Sequence, residues 1–131
     1  MKKIVQKLEN RDKSSAKLTR DSLLFKVILD AVLTKNGQNV NSLDLRDIEE
    51  SITDFYIICD VETNTEMQAI ANFVEKQVRE LCHEKPFALE ESDEWALLDY
   101  INIVLHIFKP EERAFYDLEG MWSDSKKMSH N

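Results

Sequence analysis

The sequence predicts a single α/β domain with a mixed five-stranded sheet flanked by helices. Three observations lead to this fold class. The chain of 131 residues is long enough for one domain with a real core and too short for two. Two segments repeat apolar residues at helical spacing, and several short runs are rich in β-branched and aromatic residues. Their order is helix, two strands, helix, three strands and helix, which is typical of an α/β domain.

The first half of the chain gives a helix and two strands. Apolar residues recur every three or four positions over 23–32, and Asn36-Gly37 then ends this helix as a C-cap would. Residues 40–45 form a short strand. Residues 55–59 form an almost continuous run of β-branched and aromatic residues, which favours a strand buried on both faces.

The second helix has a clear start and end in the sequence. Thr63 or Asn64 can cap its N-terminus, and Glu66 is placed to complete a capping box. Its apolar face extends to about Cys82, and Pro86 forbids helix beyond Lys85.

A weak strand at 87–89, an acidic loop at 90–94 and a hairpin follow. The hairpin joins residues 95–100 to residues 103–108 around a turn at Ile101-Asn102. Pro110, with two glutamates after it, opens a short helix towards Leu118. We therefore divide the chain into a basic, disordered arm at 1–20, a domain at 21–125 and a frayed tail at 126–131.

Charge is divided unevenly along the chain. Residues 1–20 hold seven Lys or Arg against two acidic residues, a net charge of +5, whereas the overall charge of −8 leaves −13 on residues 21–131. The acidic body would repel phosphates, so direct DNA binding is not expected and a basic protein is the more natural partner. The arm either touches nucleic acid or is a solvated leader, and it resembles a mitochondrial transit peptide only weakly.

Other features point to a protein of the cytoplasm. No window approaches the roughly 18 apolar residues that a membrane helix needs, and the N-terminus lacks the apolar core of a secretory signal. Cys59 and Cys82 have no CxxC spacing, so two reduced, buried thiols are expected and no metal site is predicted.

Five ordered motifs carry a resemblance to a known family. Similar motifs occur in the ribosomal silencing factor family, also called RsfS or Iojap, and the chain resembles a divergent member. The five motifs are SITDFYIIC at 51–59, QAIA at 68–71, EWALLDY at 94–100, VLHIF at 104–108, and RAFYDLE at 113–119 followed by Met121-Trp122.

The resemblance implies a fold similar to nucleotidyltransferases and a function that depends on docking. It implies a protein that binds the large ribosomal subunit through an L-fourteen-type ribosomal protein and sterically blocks joining of the small subunit. No catalytic residue and no cofactor are implied, and a homodimer is compatible with the resemblance.

The resemblance also places Trp95 at the ribosomal contact. Because strand side chains alternate, Leu97 and Asp99 share its face, and Glu90 and Glu94 in the acidic loop would steer a basic partner. The alternative is that Trp95 is a core residue beside a merely solvated loop. Near the C-terminus, Tyr116 and Leu118 are predicted to pack on the sheet, with Trp122 either packed likewise or available for self-association.

Three residues invite a catalytic interpretation that the pattern does not favour. His106 lies mid-strand and is predicted to be a hydrogen-bonded structural residue. Asp54 and Asp99, at strand ends, resemble a two-metal carboxylate pair but more commonly accept turn hydrogen bonds.

A nucleotide-using transferase on the same fold is the alternative function. The loop at 60–64 argues against it, because it has no glycine to admit a phosphate and adds negative charge. Glycines typical of the silencing factors are also missing at Val61, Glu91 and Ile101, which leaves loop geometry open. An interaction protein with a non-ribosomal partner is therefore a third hypothesis.

Overall fold

The computed structural model describes residues 19–20 and 22–131. The predicted arm at 1–20 lies outside these residues, except for Thr19 and Arg20. The helices are α1 (Leu23–Thr34), α2 (Asn64–Cys82), α3 (Pro110–Tyr116) and α4 (Leu118–Met121), and the strands are β1 (Gln38–Asp44), β2 (Phe55–Asp60), β3 (Ala88–Glu91), β4 (Trp95–Asp99), β5 (Ile103–Phe108) and β6 (Lys126–Ser129).

The sheet is mixed and has six strands in the order β3-β4-β5-β2-β1-β6. The central pair, β2 and β5, is parallel, and every other neighbouring pair is antiparallel. The predicted α/β class is therefore confirmed, and the predicted number of five strands is wrong by one.

The additional strand is β6, in the segment 126–131 that was predicted to be frayed. It pairs with β1, and the next two residues are also bonded to β1 or the turn before it. The His130 backbone amide donates to the Val40 carbonyl, and the Asn131 side chain accepts from the Val40 amide. The segment is ordered because it satisfies the backbone groups that β1 would otherwise expose.

Helices α1 and α2 pack on one face of the sheet and enclose the larger core. The predicted start of α2 is confirmed, because Thr63 and Glu66 form a reciprocal capping box. The helix ends at Cys82, and His83 adopts the left-handed conformation at φ 56°. Cys59 is buried and Cys82 half-buried, and both are free thiols. None of the described helices is long and apolar enough to cross a membrane.

The opposite face of the sheet has a thinner cover. The short helices α3 and α4 and the loop between β1 and β2 pack there, with Ile48, Ile52, Tyr116 and Trp122 as partly buried contacts. Beneath them is a second apolar cluster that includes Tyr56 and Trp95. The prediction that Tyr116 and Leu118 pack back on the sheet is confirmed.

The missing glycines affect the backbone at one position only. Ile101, in the hairpin turn, has φ 70°, whereas neither Val61 nor Glu91 has a positive φ. A β-branched residue is strained in this region of backbone space. The loss of the expected glycine therefore matters at the β4–β5 turn and is tolerated elsewhere.

Candidate functional site

The residues predicted to contact a partner along β4 point into the protein. Trp95, Leu97 and Asp99 share one face of the strand, as the alternation predicted, but their exposed fractions are only 1%, 2% and 1%. The expectation of an exposed Trp95 anchor is therefore wrong for the chain by itself. Trp95 is a core residue, which was the alternative left open by the sequence.

Aromatic rings enclose Trp95. Its ring stacks on Phe108 at a centroid distance of 4.6 Å and lies 5.1 Å from the ring of Tyr116 on α3. Burying an indole in this way removes a large apolar area from water and anchors α3 to the sheet. The segment Trp95–Asp99 is buried at all five positions, as in β2, because α3 and α4 cover the face that would otherwise be open.

The indole nitrogen of Trp95 also has a partner. Nε1 donates a hydrogen bond to Nδ1 of His106 at 3.1 Å, so the neutral imidazole carries its proton on Nε2. Burial lowers the pKa of His106 to about 3, because the protein interior solvates a charged imidazolium poorly. The prediction that His106 is a hydrogen-bonded structural residue is confirmed.

The two strand-end aspartates hold the turn between β4 and β5. Asp99 accepts a hydrogen bond from the backbone amide of Ile101 at 2.8 Å, and Asp54 accepts one from the side chain of Asn102 at 2.9 Å. The expectation that these carboxylates bind turn groups is therefore confirmed. Among residues 19–20 and 22–131, no group of three or more His, Cys, Asp or Glu side chains is placed to hold a metal ion.

One end of the sheet carries a cluster of acidic side chains, which we call the acidic rim. Because β2 and β5 are parallel and β4 is antiparallel to β5, the residues after β2 and β5 meet those before β4. The Lys109 amide donates to the Glu94 carbonyl, which joins two of these segments. The acidic rim consists of Glu62, Asp93, Glu94, Glu111 and Glu112, all but one of them exposed and Glu112 half-buried.

The acidic rim borders a shallow depression of about 480 Å³. Glu94 belongs to the rim. Glu90 does not lie in a loop, as was predicted, because β3 extends to Glu91; Glu90 pairs with Leu97 and is half-buried. Of the two residues expected to steer a partner, Glu94 is therefore fully on the surface and Glu90 lies on the neighbouring edge strand.

A partly buried ion-pair network fixes α3 and hence two members of the acidic rim, Glu111 and Glu112. Arg113 on α3 bonds Asp60 at the end of β2, Glu119 on α4, and the carbonyl oxygen of Asn39. The pKa of Glu119 is lowered, against the opposing effect of its burial, by its hydrogen bonds to Arg113 and Asn41. In the sequence Arg113 stood out only as part of a motif, and its spacing from Asp60 carried no signal of this contact.

The outer surface of this helical cover exposes apolar side chains. Phe115 is 80% exposed and Met121 is 67% exposed. Trp122 is half-buried and packs edge-on against Tyr56 at 6.4 Å. The cover thus combines a buried aromatic underside with an exposed apolar and acidic outer side.

Comparison with known proteins identifies the family. A family model described as "Ribosomal silencing factor during starvation" matches residues 17–131. The ribosomal silencing factor RsfS of Halalkalibacterium halodurans is 34% identical over 103 residues, which cover 78% of this chain and 87% of that protein. The mouse protein named "Mitochondrial assembly of ribosomal large subunit protein 1" is 27% identical over 79 residues, which cover 57% of this chain and 35% of that protein.

A solved structure agrees with these matches. The crystal structure of a protein from Chromobacterium violaceum superimposes with a TM-score of 0.71 at 27% identity, covering 76% of this chain and 83% of the other. The sequence motifs, the sheet topology and the family model thus lead to one conclusion. The chain belongs to the ribosomal silencing factor (RsfS) family.

Proposed function

We propose that the chain is a ribosome-binding translational repressor that docks on the large ribosomal subunit and prevents the small subunit from joining. The observation that carries this proposal is the family match over residues 17–131. The name of the mouse relative, which refers to the large ribosomal subunit, supports the choice of subunit. Two further parts of this proposal are that an L-fourteen-type ribosomal protein is the direct contact and that the mechanism is steric blocking.

Electrostatics supports a basic protein as the direct contact. The domain from residue 21 onward carries −13, and the acidic rim concentrates five of these charges at one end of the sheet. Complementary charge at the edge of an interface raises the association rate and disfavours wrong partners. Ribosomal proteins are commonly basic because they contact RNA. The acidic surface of this chain would therefore bind them in preference to most cytosolic proteins.

Within this proposal the predicted site residues have two different roles. Glu94 and Glu90 steer the partner from the surface. The other three residues do not contact the partner and instead position the surface. Trp95 and Leu97 support α3, and Asp99 holds the β4–β5 turn. An apolar anchor would then come from the exposed side chains of the cover, Phe115 among them, since interfaces favour aromatic anchors inside a charged edge.

Blocking by occupancy needs only a stable complex in the right place. A folded domain of this size covers enough surface to exclude a second partner without any chemical step. The proposal therefore predicts a one-to-one complex whose effect follows occupancy and does not require a nucleotide. Homodimerisation, if it occurs, would appear as a second species in sedimentation velocity.

The binding experiment uses a charge change and a matched control. The variant is Glu90→Gln with Glu94→Gln, and the control is Glu49→Gln with Glu50→Gln, which makes the same change on the loop before β2, at the other end of the sheet. Exposed pairs contribute about 0.2–1 kcal/mol each, so the first variant should bind purified large subunits about fivefold more weakly at low salt. Equal co-sedimentation of the two variants and the wild type would show that the acidic surface does not contribute to the interface.

A further inference from the structure

We infer that the open edge of β3 binds an extended, basic segment of a partner protein, which adds a strand to the sheet. In the part of the chain that the structure describes, β3 is the last strand on its side of the sheet. Extended segments bind such edges through main-chain hydrogen bonds, and their alternate side chains provide specificity. This mode of binding does not depend on which basic protein supplies the segment, ribosomal or not.

The hydrogen bonds between β3 and β4 leave two backbone positions of β3 facing outwards. The Ser92 amide donates to the Trp95 carbonyl at 3.1 Å, so these two residues form a hydrogen-bonded pair. In an antiparallel ladder such pairs alternate with pairs that are not hydrogen-bonded. The register of the two strands places Leu89 and Glu91 in the second kind of pair. Their N–H and C=O groups therefore point away from β4, towards the open edge.

Apolar side chains are exposed along the same edge. Leu89 is 42% exposed, and Phe87, directly before β3, is 62% exposed. An added strand would cover part of this apolar area and would provide partners for the outward-facing backbone groups of Leu89 and Glu91. The edge thus offers both of the contacts that strand addition needs.

A polar depression of about 200 Å³ lies at the end of β3, between Glu91 and the start of α2. The side chain of Asn64 donates to Asp93 at 3.1 Å and holds this carboxylate beside the depression. Because strand side chains alternate, Glu91 lies on the same face as Leu89. The depression can therefore accept a lysine or arginine of the added strand, two positions from the residue that covers Leu89.

The charge of this edge favours a basic occupant. Residues 84–94 contain five acidic residues and one lysine, a net charge of −4. Pairing with β3 of a second copy would bring the glutamates of both copies together, and like charges on neighbouring strands are destabilising. Lysine or arginine in the added strand has the opposite effect. The other edge strand of the sheet, β6, carries Lys126 and Lys127 and would repel the same segment.

The test measures binding of the full chain to a short, blocked and fluorescent peptide of alternating lysine and valine by fluorescence anisotropy. The variant Leu89→Pro removes an amide that points outwards and keeps the hydrogen bonds to β4, since edge strands tolerate proline at such positions. It should bind the peptide about tenfold more weakly, because a donor is lost and the carbonyl opposite it stays unpaired. Leu89→Ala keeps the amide and should bind more tightly than Leu89→Pro.

The matched control is Ser129→Pro on β6. The His130 amide donates to Val40, so Ser129 is at a position that is not hydrogen-bonded to β1 and its amide also faces outwards. This variant should bind the peptide as the wild type does. Binding by Leu89→Pro that equals binding by Ser129→Pro would overturn the inference.

A second measurement changes only the peptide and so does not depend on the folding of a variant. One form carries methyl groups on the backbone nitrogens of its lysines, and the other carries them on those of its valines. Alternate amides of an added strand face β3, so one form should bind about tenfold more weakly and the other as the parent peptide does. Equal binding of the two forms would overturn strand pairing.

The charge preference is tested separately. Glu91→Gln with Asp93→Asn should weaken binding of the lysine peptide about fivefold at low salt, whereas Glu49→Gln with Glu50→Gln should not. A peptide with glutamate in place of lysine should not bind, and equal binding of the two peptides would overturn the choice of a basic partner. A dimer of the chain that Leu89→Pro abolishes would assign the edge to a second copy instead. Because no ribosomal component is present, failure here is distinguishable from failure of the large-subunit experiment.

Discussion

The buried hydrogen bond between Trp95 and His106 should make the free energy of unfolding depend on pH by an amount that can be calculated. His106 is buried with a pKa lowered to about 3, against an ordinary value of 6.5. In the unfolded chain the imidazole takes up a proton as pH falls below 6.5, whereas in the folded chain it stays neutral until about pH 3. The stability contributed by neutral His106 is therefore fully present above pH 6.5 and is lost progressively as pH falls towards 3.

The expected size follows from the two pKa values. At pH 5.0 the solution is about 1.5 pH units below the pKa of the unfolded imidazole, and each unit stabilises the unfolded state by about 1.36 kcal/mol. The free energy of unfolding of the wild type should therefore fall by about 2 kcal/mol between pH 7.5 and pH 5.0. The variant His106→Gln keeps a side-chain oxygen that can accept from the indole of Trp95 but cannot titrate. Its stability should therefore change by about 2 kcal/mol less over the same interval.

Urea unfolding followed by circular dichroism at the two pH values measures this difference. Burial also lowers the pKa of His130, but this residue is present in both proteins and cancels in the comparison. The variant His83→Gln makes the same change at an exposed position and is the matched control for the substitution itself. Identical losses of stability in wild type and His106→Gln would refute the burial and neutrality of His106.

Three further substitutions test the packing and the backbone. Trp95→Ala should lower the free energy of unfolding by about 3–5 kcal/mol, as for other buried aromatics, and a loss below about 1 kcal/mol would show that the ring is not enclosed. His83→Gly should raise it by about 0.5–1 kcal/mol, because glycine adopts the left-handed cap without strain, whereas His83→Ala should not. Arg113→Met should lower it by about 2 kcal/mol by leaving Asp60 and Glu119 without their guanidinium, and an unchanged value would show that this network is not stabilising. All three are measured by urea unfolding.

Much of the fold follows from local sequence signals. The capping box at Thr63 and Glu66, the run at 55–59 and the hairpin around Ile101-Asn102 each predicted the element that the structure has. These signals are local because caps, turns and β-branched runs act over a few residues. The sixth strand had no such signal: the residues of β6 are all exposed and, apart from Met128, polar, and they form a strand only because β1 has a free edge.

The candidate site was harder to predict because it depends on contacts between distant segments. The alternation of strand side chains correctly predicted that Trp95, Leu97 and Asp99 share one face of β4. It did not predict that α3 and α4 cover this face. The five residues Trp95–Asp99 form an apolar run that ends in an aspartate, a pattern that also fits a strand covered on both sides. The contact of Arg113 with Asp60, 53 residues apart, is likewise set by the parallel pairing of β2 and β5 and by α3, not by any spacing in the chain.

The proposed function is tested most directly by measuring whether the bound chain prevents the ribosomal subunits from joining. Purified large subunits are incubated with increasing amounts of the chain, small subunits are added, and ribosome formation is followed by light scattering without added nucleotide. We expect ribosome formation to fall in proportion to the fraction of large subunits that carry the chain. The variant with both Glu90→Gln and Glu94→Gln should need about fivefold more protein for the same effect. Large subunits saturated with the chain that still join small subunits at the normal rate and yield would contradict it.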